Sequence, residues 1–216
     1  MNNLQKIGGV AALFEAAIYI SAFVFFGAFW DYPVSADDAQ KIIFLTQNQT
    51  ILSIVNLTMY VAFGLFLAVL VLATHQRMKT KAPVLSQTAS VFGIIWVGLV
   101  IASGMIATMG LGVVIDLSTK NADQAMILWV VINTIVEGLG GGNEIVGGLW
   151  VLLLSVAGLK IIELPKLLNC LGLFIGFVGI LTVYPAEILT EIFGLGQILW
   201  FSWLGMIMLM NPQSNN

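Results

Sequence analysis

Apolar runs long enough to cross a bilayer, about 20 residues each, recur along the chain with short polar links between them. They fall at Ile7–Trp30, Thr50–Thr74, Val84–Leu117, Ala125–Gly158, Leu167–Tyr184 and Ile188–Met210, and they predict six transmembrane helices in an all-α, polytopic membrane bundle. The links are Asp31–Gln49, His75–Pro83, Ser118–Gln124, Leu159–Lys166 and the tight Pro185–Glu187 turn. All but the first are short, so consecutive spans are expected to be antiparallel neighbours within one transmembrane domain over residues 1–216. The first run far exceeds the roughly 7–15 residues of a signal-peptide core, which predicts an uncleaved span.

Orientation follows from the basic residues. With the amino terminus cytoplasmic, the inner side collects Lys6, Arg77, Lys79, Lys81, Lys160 and Lys166, six of the eight, and the outer side keeps Lys41 and Lys120. The positive-inside rule therefore predicts that both termini are cytoplasmic. The same count decides whether Ala125–Gly158 crosses once or twice. Two crossings would carry Lys160 and Lys166 outside and erase the asymmetry, so one crossing is preferred. At about 1.5 Å per residue those 34 residues would extend about 51 Å against a hydrocarbon core of about 30 Å. Val84–Leu117 is equally long, so the two are expected to project together on the outer side.

In the first link, residues 31–49, Ser35-Ala36-Asp37-Asp38 predicts the capped start of a short helix carrying Ile42, Ile43 and Leu45 on the bilayer surface. Trp30, Tyr32 and Trp129 fit an aromatic belt.

Composition agrees with the pattern. The chain is 59% hydrophobic and 9% charged, with a mean hydropathy of +1.01, against roughly a quarter charged in globular domains. Its solvent is the bilayer. A lone cysteine, Cys170, excludes an intrachain disulfide and a zinc site of Cys ligands, and a lone histidine, His75, excludes bis-His haem ligation within one chain. Carboxylate, amide and carbonyl oxygens remain as ligands for a hard cation. No cofactor is expected, and no nucleic-acid-binding signature is present.

The candidate chemistry sits in Glu137-Gly138-Leu139-Gly140-Gly141-Gly142-Asn143-Glu144, between two apolar runs. Ionisable groups inside a span cost about 2.5–3.5 kcal/mol on insertion scales and mark pathways, relays or ligand sites. If the segment is helical throughout, Asn133, Glu137, Glu144, Gly148 and Ser155 share one face. Glu15 in the first span is a further unpaired acid, and Asn56 and Asn169 are further polar groups near the core. With no Lys or Arg inside any span, three states are open: protonated glutamates bonded to neighbouring amides as interhelical glue, a proton shared between carboxylates, or carboxylates neutralised by a bound cation. The candidate cation or proton site is therefore Glu137, Asn143, Glu144, Asn133 and Glu15, with Glu187 and Glu191 as a secondary outer acidic site. Glu187 also stands where a helix dipole favours an acid. His75 with Arg77, Lys79 and Lys81 reads as a lipid-facing topology anchor, Trp96, Trp200 and Trp203 as packing residues or, alternatively, the lining of a pocket for an apolar or cationic ligand, and Cys170 as a small buried residue. The glycines of Gly172-xxx-Gly176 predict close helix packing.

Gly142-Asn-Glu-Ile-Val-Gly-Gly-Leu-Trp-Val-Leu-Leu-Leu, Leu164-Pro165-Lys166 with Gly172 and Gly176, Gly194-Leu-Gly and Trp200-Phe-Ser-Trp-Leu-Gly205 together resemble a bacterial family of multi-pass membrane proteins, catalogued as domain of unknown function number four-three-eight-six. The resemblance covers the last third of the chain and, elsewhere, the layout of spans. It implies a helical bundle in a bacterial inner membrane and supplies no activity, and Glu137 falls outside the matched positions.

An enzyme is the least supported class, since neither a nucleophile motif nor a zinc-binding His pair is present. Unpaired acids in a glycine-interrupted span favour a small cation- or proton-coupled transporter, with a proton, a cation or a small cationic substrate as partner. The alternative is a non-catalytic accessory or assembly subunit, packed on a membrane protein partner or as a homo-oligomer, with protonated glutamates as packing contacts.

Overall fold

The computed structural model describes residues 2–141 and 144–210. Among them the chain is helical with no strand. α1 (Asn2–Val24) runs into a π turn, Phe25–Phe29. α2 (Asp38–Gln47) is followed by α3 (Gln49–Asn56), a second π turn at Leu57–Ala62 and α4 (Phe63–Met78). α5 (Pro83–Ser118) is unbroken. α6 (Ala122–Val136) leads through a kinked π turn, Glu137–Gly141, towards α7 (Ile145–Ile161), and α8 (Lys166–Leu181) and α9 (Glu187–Met210) complete the chain. Among the described residues five stretches are long and apolar enough to cross a bilayer: Asn3–Phe29, Gln49–Met78, Pro83–Ser118, Ala122–Ile161 and Glu187–Met210. α8 is apolar but has 16 residues, about 24 Å against a core of about 30 Å. The protein is a helical membrane protein.

Apolar residues on every face give these helices no internal preference for what they bury, so packing is decided by shape. α1, α4, α5, α7, α8 and α9 close a ring in which each helix touches the next in the chain and α9 returns to α1. The ring is filled by large rings in edge or tilted contact. Trp150 meets Trp200 at 5.6 Å and Trp96 at 5.9 Å between centroids, while Phe63 meets Trp96 at 5.5 Å. Such pairs contribute about 0.5–1.5 kcal/mol each beyond their buried area. Small residues let the helices approach. A Cβ on Gly148 would lie 2.7 Å from the Gly176 carbonyl oxygen, and one on Gly147 would lie 2.7 Å from the Trp96 ring.

The 36 residues of α5 span about 54 Å. α7 packs along its first half, with Trp150 against Gly93, and α6 along its second, with Ile132 against Gly110, so the two long segments run side by side. A second apolar cluster forms there, with Leu111 and Val114 of α5 against Ala125, Met126 and Ile132 of α6. α2 covers part of it. Asp37 caps α2 by accepting from the Gln40 N–H at 2.8 Å. The helix buries Ile42 and Leu45 in this cluster, and of its expected apolar contacts only Ile43 is left exposed.

The amino terminus, the two links 79–82 and 162–165 and the end of α9 lie together. Gln5 Nε2 donates to the Ala73 carbonyl at 2.7 Å, and Glu163 forms an ion pair with Arg77 Nε at 3.3 Å and accepts a hydrogen bond from Lys81 Nζ at 2.8 Å. Gly9 packs on Gly205 and Leu209. This end carries the six basic residues named above. His75 and Arg77 are not a lipid-facing anchor: Arg77 is 5% exposed, and the Ser86 hydroxyl lies 2.9 Å from His75 Nδ1. Cys170 is exposed on α8 and not buried as expected, because Asn169 and Gly172 hold the inward positions of that turn.

Candidate functional site

At the end of the ring opposite the basic residues, α1, the turn at Leu57–Ala62, the middle of α5, the approach to α7 and the first turns of α9 enclose a cavity of about 430 Å³. Its walls are aromatic, from Tyr19, Phe23, Phe26, Tyr60, Phe63, Trp96 and Phe193, with Glu144, Thr190 and Glu191 as polar groups. All three π turns reach it: Phe26 and Gly27 from the first, Met59 and Tyr60 from the second, Gly140 from the third. A π turn spreads the backbone by one residue per hydrogen-bonded ring and is frequently found at functional sites.

The third turn settles where the two central carboxylates point. Gly140 leaves the helical region (φ 160, ψ 19) against Val100 and Ser103 of α5, and the Ser103 hydroxyl donates to the Val136 carbonyl at 3.4 Å. The helix therefore does not continue in phase, and the single polar face expected from the spacing is divided. Glu137 is exposed, whereas Glu144 is 7% exposed and lines the cavity. Gly138 meets nothing within 4 Å and Gly140 makes the bend, while Gly147 and Gly148 serve close packing.

Glu144 stands at the N-cap of α7. Its N–H donates to Thr182 Oγ1 at 2.8 Å, the Thr182 hydroxyl donates to the Gly179 carbonyl at 2.7 Å, and the Glu144 carbonyl accepts the Gly148 N–H at 2.7 Å. The backbone is thus pinned to the end of α8. The side chain, in contrast, keeps Oε2 without a hydrogen-bond donor among the described residues, and none of the ion pairs there includes it. Tyr19 and Tyr60 stand within electrostatic reach of it. A carboxyl group so placed must either hold a proton or meet a cation, because burying an uncompensated charge costs several kcal/mol or more.

The remaining candidate residues are dispersed. Glu15 is fully buried, one helical turn before Tyr19, with neither oxygen bonded among the described residues, but it lies outside the cavity wall. Glu137 and Asn133 line a separate outer groove of about 700 Å³ with Tyr32, Asp38, Lys41 and Trp129. There Asn133 Nδ2 donates to the Trp129 carbonyl at 2.8 Å, and burial together with the nearby Asp38 pushes the Tyr32 phenol up. Glu187 and Glu191 are both exposed, and of the two only Glu191 reaches the cavity. Asn143 lies outside the described residues. No group of three or more His, Cys, Asp or Glu side chains among the described residues is arranged to hold a metal ion. Tyr19, Tyr60, Phe193, Thr182 and Thr190 carried no signal in the sequence, being single residues in separate apolar runs.

Comparison with protein-family models, with curated proteins and with solved structures gives no match for this chain. Its class rests on the helices themselves: an all-helical membrane bundle with an aromatic cavity and one buried acid in its wall.

Proposed function

We propose that this is a small cation- or proton-coupled transporter of a bacterial inner membrane, with six spans, both termini cytoplasmic and Glu144 as the group that is reversibly occupied. The observation that carries the reading is the buried Glu144 carboxyl, whose Oε2 has no donor among the described residues, in the wall of a cavity at the end of the bundle opposite the basic residues. The orientation is supported by the six basic residues gathered at the other end. The sixth span is α8, which is short but completes the ring between α7 and α9. A bacterial source is supported by the family resemblance of the last third of the chain.

Ligand binding to the native state raises its stability, by about 2.7 kcal/mol at a hundred times the dissociation constant. The melting temperature of the detergent-solubilised protein is therefore expected to respond to pH or to added Na⁺ or K⁺ at fixed ionic strength, and Glu144→Gln is expected to remove that response. Tyr19, Tyr60 and Glu191 are the other titratable groups facing the cavity, so Glu191→Gln serves as the control that keeps it. A wild-type response that survives in Glu144→Gln would overturn the reading.

A second reading, an accessory subunit, is favoured by one observation. Beyond the roughly 20 residues that a bilayer core accommodates, the projecting pair still exposes Val113 of α5 and Ile127, Val130 and Val131 of α6. Ile127, Val130 and Val131 line one groove, and apolar surface gathered in this way outside lipid marks an interaction site. On this reading, extraction in mild detergent yields a stoichiometric membrane protein partner. Isolation as a lone monomer or homodimer counts against it.

A further inference from the structure

We infer that the cavity beside Glu144 binds a lipophilic organic cation, one positive charge carried on an apolar or aromatic body. The inference rests on the reading of Glu144 as a cation site and narrows what that site accepts. An inorganic ion leaving water needs a shell of oxygen ligands, six to eight for calcium and a near-ideal octahedron for magnesium. The described residues of the cavity wall carry no cluster of carboxylates to form one. Glu144 is its only buried carboxylate, and no metal-holding group of acids is found among the described residues.

What it does offer is ring surface. Tyr19, Tyr60, Phe63, Trp96 and Phe193 come from α1, the second π turn, α4, α5 and α9, so they surround the space from several sides. Tyr19 and Phe63 meet edge to face at 5.5 Å, as do Phe63 and Trp96, which fixes their orientation. A cation within about 6 Å of a ring centroid is attracted by the ring quadrupole, more strongly once water is excluded. At about 430 Å³ the cavity is in the range of small-molecule sites, about 300–1,000 Å³, and is far larger than a bare ion requires. An organic cation thus solves both halves of the problem. Its body covers the aromatic wall, and its charge answers the nine-tenths-buried carboxyl whose Oε2 has no donor among the described residues. Exposed Glu191 in the same wall draws cations towards it.

The test uses the full chain in nanodiscs of zwitterionic lipid and measures binding of radiolabelled tetraphenylphosphonium, with empty nanodiscs subtracted. Tetraphenylborate, of the same shape and opposite charge, is the control. Saturable binding of the cation with no saturable binding of the anion is expected, weakened at least about tenfold by Glu144→Gln and about five- to tenfold by Tyr60→Leu, the loss of one ring face. Should Glu144→Gln fail to fold, Tyr60→Leu and the charge control carry the result. Equal binding of both ions, or binding unchanged in either variant, overturns the proposal. A chain whose melting response to pH or alkali cations depends on Glu144 but which does not bind the phosphonium overturns the organic cation alone. Absence of both overturns the cation site as well.

Discussion

Gly148→Ala is expected to lower stability by about 2–3 kcal/mol, at the upper end of overpacking effects, with Gly148→Val larger still. The added Cβ would lie 2.7 Å from the Gly176 carbonyl oxygen, 2.9 Å from the Gly179 carbonyl carbon and 2.9 Å from the Ile180 nitrogen. All three are backbone atoms of α8, so no rotamer change relieves the contact, and the whole helix must move. Helix association in lipid depends on this kind of close packing, since the bilayer gives apolar side chains no reason to leave it. The displaced helix is also the one that holds the Glu144 N–H through Thr182. Thermal unfolding of the purified protein checks the prediction. Gly98→Ala and Gly112→Ala, where a Cβ meets nothing within 4 Å, should leave stability unchanged or slightly raised, because alanine is the better helix former.

Glu163→Ala is expected to cost about 3–5 kcal/mol, the range found when one partner of a buried ion pair is removed. Arg77 is 5% exposed and Glu163 is 9% exposed, and they meet at 3.3 Å. Deleting the acid leaves a guanidinium facing the packed ends of α4 and α7 without the carboxylate that neutralises it. Lys81 reaches the same carboxylate at 2.8 Å but is 57% exposed. Water screens it, and Lys81→Ala should cost about 0–1 kcal/mol. Equal effects of Glu163→Ala and Lys81→Ala in thermal unfolding would show that the pair is not buried in the membrane-embedded protein.

Much of the helical layout was legible in the sequence, for a reason specific to membranes. Runs of apolar residues mark where the chain must satisfy its own backbone, and polar links mark where water does so. Hence Val84–Leu117 maps onto α5 almost residue for residue, and its pairing with the equally long segment after it followed from length alone. The inward face of each helix was a different matter. Lipid-facing and core-facing positions are both apolar, so Ile94 and Trp96 look equivalent in the sequence, although one is exposed and the other is buried in the cavity wall. The expectation that Glu137 and Glu144 share a face assumed an unbroken helix. Glycines signalled that a break was available, but the direction of the turn depends on how Gly140 seats against Val100 and Ser103, which no local pattern encodes. Glu163 carries no signal of its own, because a lone acid among basic residues has little weight in topology. Its partner Arg77 reads as one more surface cation until the fold brings the two links together.

The π turns at Phe25–Phe29 and Leu57–Ala62 bear on how the hollow is made. Each holds one more residue than an α-helical stretch of equal rise would need. At Leu57–Ala62, where the helix continues on both sides into α3 and α4, chain length as well as the choice of side chains sets how Met59 and Tyr60 reach the cavity wall. A form of this protein lacking one residue in that turn is expected to regain a regular α-helix there and to reshape the wall behind the same carboxylate.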